Sequence, residues 1–224
     1  KLKNETASVY TDYANLMMAV DFAVRFANSR SLPLSINISY GSNDGSHTGS
    51  SLLELFMEQV SLYGKNVICA ATGNEGLTRR HASLNTISNQ NTYDKSIDFT
   101  IAPGERSLYL EIWQTFDELF SPSGLESFVF PAVPGIYAYM IADTTIYLTI
   151  NNPTPYQPFR QYFLSFSSNT TFITSGTWAL HIESTPTGKI VDGRLQFWLP
   201  SKEATNSATG FLVPSSDMTF TIPS

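Results

Sequence analysis

The sequence predicts an α/β segment followed by an all-β part, an antiparallel β-sandwich of jelly-roll type. Three observations carry that reading. Up to about residue 80, apolar positions recur at helical spacing between short β-rich runs. Beyond about residue 87 no helical stripe returns, and short β-rich runs follow one another between clusters of Pro, Gly, Asn and Ser. With 42% hydrophobic and 14% charged residues among 224, the chain has the apolar material for a real core.

The elements follow in order. Leu16, Val20, Ala23, Val24 and Ala27 share one face of a helix over 13–29, which Thr11 or Asp12 can cap. Pro33 breaks the chain, and 34–40 reads as a strand. After a polar loop at 41–49, Ser51 and Glu54 stand at capping-box spacing. Leu53, Phe56, Met57 and Val60 continue on one face of that second helix, with Gly64 as its stop. Residues 67–71 form a second apolar strand. Strands alternating with helices imply a parallel sheet. In the second part, β-rich runs fall at 96–102, 107–113, 136–141, 145–150, 162–166, 178–184 and 193–199, with a Pro-containing loop at 129–135. Period-2 alternation in Ile97, Phe99, Ile101 and in Leu108, Leu110, Ile112 puts each trio on one face. Trp178, Leu180 and Ile182 are expected to face inward with them. The expected boundaries are 1–86 for the α/β segment, 87–218 for the sandwich and 219–224 for a return to the first part.

Charge and composition exclude several functions. A net charge of −6 argues against a nucleic-acid partner, which calls for clustered Lys and Arg. No apolar run approaches the ~20 residues of a membrane span. Cys69 is the only cysteine, so no internal disulfide forms. The chain opens on Lys1 and closes on Ser224 without a polar tail, and both ends are expected to be internal to something longer.

The most informative stretch is Ala71-Thr72-Gly73-Asn74-Glu75-Gly76, where an apolar strand runs into a glycine-flanked turn. A side-chain amide at a strand end can donate to an oxyanion that develops on a carbonyl, and losing such a donor costs about 2.7–4 kcal/mol of transition-state stabilisation. Asn and Gly also favour an ordinary left-handed turn, so the tetrapeptide alone leaves both readings open. Upstream, Ile36-Asn37-Ile38 runs into Ser39-Tyr40-Gly41, with one amphipathic helix between the two strands.

Together these motifs resemble the subtilisin-like (S8) serine peptidases. There a strand ending in a Ser-Leu-Gly-type motif borders the substrate cleft, and the next strand ends in Ala-Ala-Gly-Asn-Glu-Gly. The resemblance implies a partial subtilisin-like parallel α/β sheet in which Asn74 is the catalytic oxyanion-hole donor. It implies that Ser39, Tyr40 and Gly41 pair with an extended substrate, and that Ala71, Thr72 and Gly73 wall the S1 pocket. Thr72 stands where the family has a smaller residue. The run from Ser39 to Glu54, with Val191-Asp192-Gly193-Arg194 and Phe197-Trp198-Leu199-Pro200, is similar to the clostridial branch that includes the Csp-type spore-germination proteases. Those carry a jelly-roll insert between the oxyanion asparagine and the nucleophilic serine. A secreted or spore-associated address follows from that resemblance alone.

The catalytic Asp, His and Ser motifs of subtilases do not occur in these residues, so the chain by itself is expected to be inactive. His47 reads as a solvated loop residue, His81 as polar surface and His181 as facing solvent or a sheet-surface partner. No His, Cys or carboxylate spacing suggests a metal, and no cofactor is implied. The expected partner is a protein or peptide substrate. Two other readings stand beside the peptidase: a pseudoprotease scaffold, and a glycan- or protein-binding sandwich.

Overall fold

The computed structural model describes residues 9–62, 65–85, 94–115, 120–155, 157–184, 194–201, 204–212 and 218–219. They fall into two compact units. Residues 1–41 with 47–73 form the first, and residues 42–46 with 74–224 form the second.

The first unit is α1 (Val9–Ser29), β1 (Leu34–Ile38), α2 (Leu52–Leu62) and β2 (Asn66–Ala70). The α1 stripe is as expected, with Val20 and Ala27 buried one face apart from exposed Met18 and Phe22. Thr11 and Asp12 do not cap it, because the helix already includes Val9 and both residues lie inside its first turns. At its far end Ser31 takes a left-handed φ of 56°, and the Leu32 N–H reaches back to Ala27 O at 3.0 Å, closing the helix without a glycine. The capping box of α2 forms in both directions. Glu54 N–H donates to Ser51 Oγ at 3.2 Å, and Ser51 N–H donates to Glu54 Oε2 at 2.9 Å. Gly64, the expected stop, lies outside the described residues. β1 and β2 pair in parallel, Leu34 with Asn66 through Ile38 with Ala70.

The second unit is a sandwich of two antiparallel sheets. The larger contains β3 (His81–Asn85), β5 (Ser107–Thr115), β8 (Gly135–Ile141), β9 (Thr144–Asn151), β10 (Phe159–Ser168), β12 (Arg194–Trp198) and β14 (Met218–Thr219), in the order β14-β3-β12-β5-β10-β9-β8. The smaller contains β4 (Asp94–Ile101), β6 (Phe120–Leu125), β7 (Phe128–Val129), β11 (Gly176–Ser184) and β13 (Gly210–Phe211), in the order β13-β4-β11-β6-β7. Leu108, Leu110, Ile112, Trp178, Leu180 and Ile182 all lie in the shared core, as their alternation requires. The sheets meet through aromatics. Phe166 of β10 stands edge-on to Phe99 of β4, with ring centroids 6.1 Å apart, and to Trp178 of β11 at 5.5 Å.

The sandwich begins earlier than residue 87. His81–Asn85 pairs with β12, and Met218–Thr219 pairs with β3, so a stretch assigned to the α/β segment and Thr219 of the assigned return both belong to the larger sheet. Ala82 and Leu84 are the only aliphatic residues of that first strand, too few to mark it in the sequence. His81 is accordingly buried rather than surface, stacked on Trp198 at 3.8 Å with Nε2 2.7 Å from Gln196 Oε1. Arg80 before it is buried as well.

Candidate functional site

Because β1 and β2 run parallel, both leave their sheet at the same edge. The Ala71 N–H still donates to Ile38 O at 2.9 Å, and beyond that bond the two chains part. Ser39, Tyr40 and Gly41 continue from β1 and Ala71, Thr72 and Gly73 from β2, and all six are exposed. Asn37 Nδ2 donates to Ser39 Oγ at 3.1 Å, steadying the first of them. A groove of about 270 Å³ lies between α1 and β1, and Ser39 and Tyr40 form its end. In open parallel sheets ligands bind outside the carboxyl ends of the strands, which is where these residues stand.

Gly73 turns the chain with a φ of 90°, a conformation that a side chain at this position resists. A Cβ built there would meet nothing within 4 Å, so the glycine answers a backbone need rather than a lack of room. Asn74 follows at once and is exposed. The turn after it is tied by a residue the sequence reading passed over. Thr78 Oγ1 donates to Glu75 O at 2.8 Å and lies 2.6 Å from Glu75 Oε2, while Thr78 N–H donates to Glu75 O at 2.9 Å. A threonine three residues past a Gly-Asn-Glu turn is the signal that would have found it.

A second polar group was also missed. Within the sandwich unit, the strap Ser42–Ser46 lies against the outer face of the larger sheet. Glu111 Oε2 accepts hydrogen bonds from the Gly45 N–H at 3.0 Å and from Trp113 Nε1–H at 2.9 Å. The Tyr109 hydroxyl donates to Asp44 Oδ1, and Asn43 Nδ2 donates to Leu199 O at 3.0 Å. Burial pushes the Glu111 carboxyl above the usual glutamate range, and the nearby Asp44 carboxylate adds to the rise. The alternation that buries Leu108, Leu110 and Ile112 places Tyr109, Glu111 and Trp113 on the other face, so Glu111 reads from sequence as a solvated residue.

The histidines do not gather. His47 is exposed with a left-handed φ of 53°, and His181 Nε2 lies 3.1 Å from Glu126 O across the smaller sheet. Among the described residues no group of three His, Cys, Asp or Glu side chains is placed to hold a metal ion. No helix among them is long and apolar enough to cross a membrane.

A short parallel α/β unit and a two-sheet antiparallel sandwich make up a fold that a protease shares. In structure the chain is similar to the Clostridium perfringens CspB protease, at a TM-score of 0.73 and 27% sequence identity. The match covers 91% of this chain and 42% of that one, so the chain spans less than half the length of that protease. No family model matches the sequence, and no curated protein matches it.

Proposed function

We propose that this chain is part of a subtilisin-like serine endopeptidase of the Csp type, in which Asn74 donates to the oxyanion of the tetrahedral intermediate. In this reading Ser39, Tyr40 and Gly41 pair with an extended peptide, and Ala71, Thr72 and Gly73 line the pocket for its P1 side chain. The observation that carries the reading is the shared edge, with Ser39 and Ala71 leaving parallel strands side by side and the Gly73 turn directly before Asn74. The structural likeness to a protease over most of the chain supports it. A two-stranded sheet is also too small to stand alone, and Met18 and Phe22 of α1 are 70% and 71% exposed, apolar surface suited to further parts of a catalytic domain. The sandwich, a jelly roll in this reading, is the accessory domain. A secreted or spore-associated setting belongs to the same proposal.

The mechanism assigns Asn74 no proton transfer. Its amide strengthens one hydrogen bond as the carbonyl oxygen becomes charged, so it acts on the transition state more than on bound substrate. In the full-length protein, Asn74→Ala is expected to lower kcat about 10²–10³-fold with KM little changed. An active enzyme that tolerates the change, or a full-length sequence lacking the Asp, His and Ser motifs, overturns the peptidase reading. The 224-residue chain alone is expected to give no burst of acyl product from a peptide ester.

A further inference from the structure

The strap Ser42–Ser46 follows directly on Ser39-Tyr40-Gly41, yet it packs with the sandwich and not with the unit that contains that arm. Its hold is polar and enclosed. Gly45 has a left-handed φ of 95° and gives its N–H to Glu111, while Asp44 is gripped by the Tyr109 hydroxyl. Asp44 Oδ2 is enclosed without a hydrogen-bond partner. Glu111 is itself buried between two aromatic neighbours on its strand, Tyr109 and Trp113. Burying a carboxylate is costly, and an apolar side chain would cover the sheet at less cost. What an apolar side chain cannot do is hold the Gly45 N–H.

We propose that Glu111 is a positioning residue that clamps the strap through Gly45 and so fixes the conformation of the Ser39–Gly41 arm. The role of that arm in peptide binding rests on the function proposed above; the clamp does not.

The groups around Glu111 set its pH response. Asp44 faces it from the strap with like charge, and Gln161 of β10 offers an uncharged hydrogen bond. Phe163 of β10 and Trp198 of β12 stand opposite it in register, with His81 of β3 stacked against Trp198. Burial, to which the covering strap contributes, and the Asp44 charge favour the protonated carboxyl, while the Gly45 N–H favours the carboxylate. The balance lies toward the proton, so the strap is held more firmly in acid and less firmly as the carboxyl ionises.

Amide hydrogen exchange on the intact chain tests this. In the wild type, protection of the Gly45 amide, corrected for the intrinsic rate, is expected to fall as pH rises through the raised Glu111 value. Glu111→Gln keeps an acceptor and removes the charge, and is expected to hold Gly45 at least as well with a flat profile. Glu111→Ala is expected to speed exchange at Tyr40, Gly41 and Gly45 about tenfold or more, with the Leu110, Leu148 and Leu164 amides unchanged. The clamp is overturned if Glu111→Ala leaves Tyr40, Gly41 and Gly45 within about twofold of wild type, or speeds the core amides equally. Should Glu111→Ala fail to fold, the wild-type and Glu111→Gln profiles decide, and coincident profiles overturn it. In an active full-length enzyme, Glu111→Ala is expected to raise KM with kcat little changed, and Glu111→Gln to restore it; an unchanged KM overturns the link to the arm. A full-length wild type without peptidase activity sinks the protease reading and leaves the exchange result standing.

Discussion

Phe166 is the residue through which the two sheets of the sandwich can be tested. It has no exposed surface, and its ring meets Phe99 and Trp178 of the opposite sheet edge-on. Truncation to alanine removes roughly 120 Å² of buried apolar surface, about 3 kcal/mol at ~25 cal/mol per Å². The two lost edge-to-face contacts add about 0.5–1.5 kcal/mol each, so the total is about 4–6 kcal/mol, at the upper end of what such changes cost. Against a domain stability of about 5–15 kcal/mol that is a large loss. Trp113, Trp178 and Trp198, the only tryptophans, all belong to the sandwich unit, so their fluorescence during urea unfolding reports on it. With a slope of about 2 kcal/mol per molar, Phe166→Ala is expected to lower the midpoint by about 2–3 M without changing the slope. Phe166→Leu, which keeps most of the volume, is expected to cost about 1–2 kcal/mol. A cost below about 1.5 kcal/mol for Phe166→Ala would show that the sheets do not pack through this ring.

Two glycines should respond differently to alanine. At Gly124 a Cβ would lie 2.6 Å from Phe128 O, backbone that cannot swing aside, so Gly124→Ala is expected to cost about 2–3 kcal/mol by urea unfolding. Gly73→Ala meets no atom and carries only the strain of its left-handed φ, about 1 kcal/mol; equal costs would refute the distinction between clash and strain. Glu111 takes up its proton more readily in the folded chain than in the unfolded one. Its contribution to stability is therefore fully present below the ordinary glutamate value and is lost as pH rises through the folded-state value. Urea midpoints of wild type measured against Glu111→Gln are expected to diverge over that window, with the wild type falling; parallel curves would show that Glu111 titrates as it does unfolded.

The sequence revealed what repeats and hid what does not. The apolar trios of β4, β5 and β11 alternate over whole strands, so both their faces and their limits could be read to within a few residues. The Ser51–Glu54 box could be read because both partners are local. β3 could not, since its His, Ser and Asn outnumber its two aliphatics, and β13 and β14 are two residues each, held by partners distant in sequence. At the candidate site, the parallel strand ends and the Gly73 turn were legible as a motif. Glu111 was not, because nothing local tells that a carboxylate on the outer face of β5 meets the N–H of Gly45, 66 positions earlier.

That sequence distance has a consequence during synthesis. The Asn43 side chain bonds to Leu199 O, 156 positions later, so the strap emerges from the ribosome long before its acceptors exist. At about 5–20 residues per second, the interval between Asn43 and Leu199 is about 8–30 s. Throughout that interval residues 42–46 are nascent chain without their final contacts, and the clamp can close only after β5 and then β12 have been translated and paired.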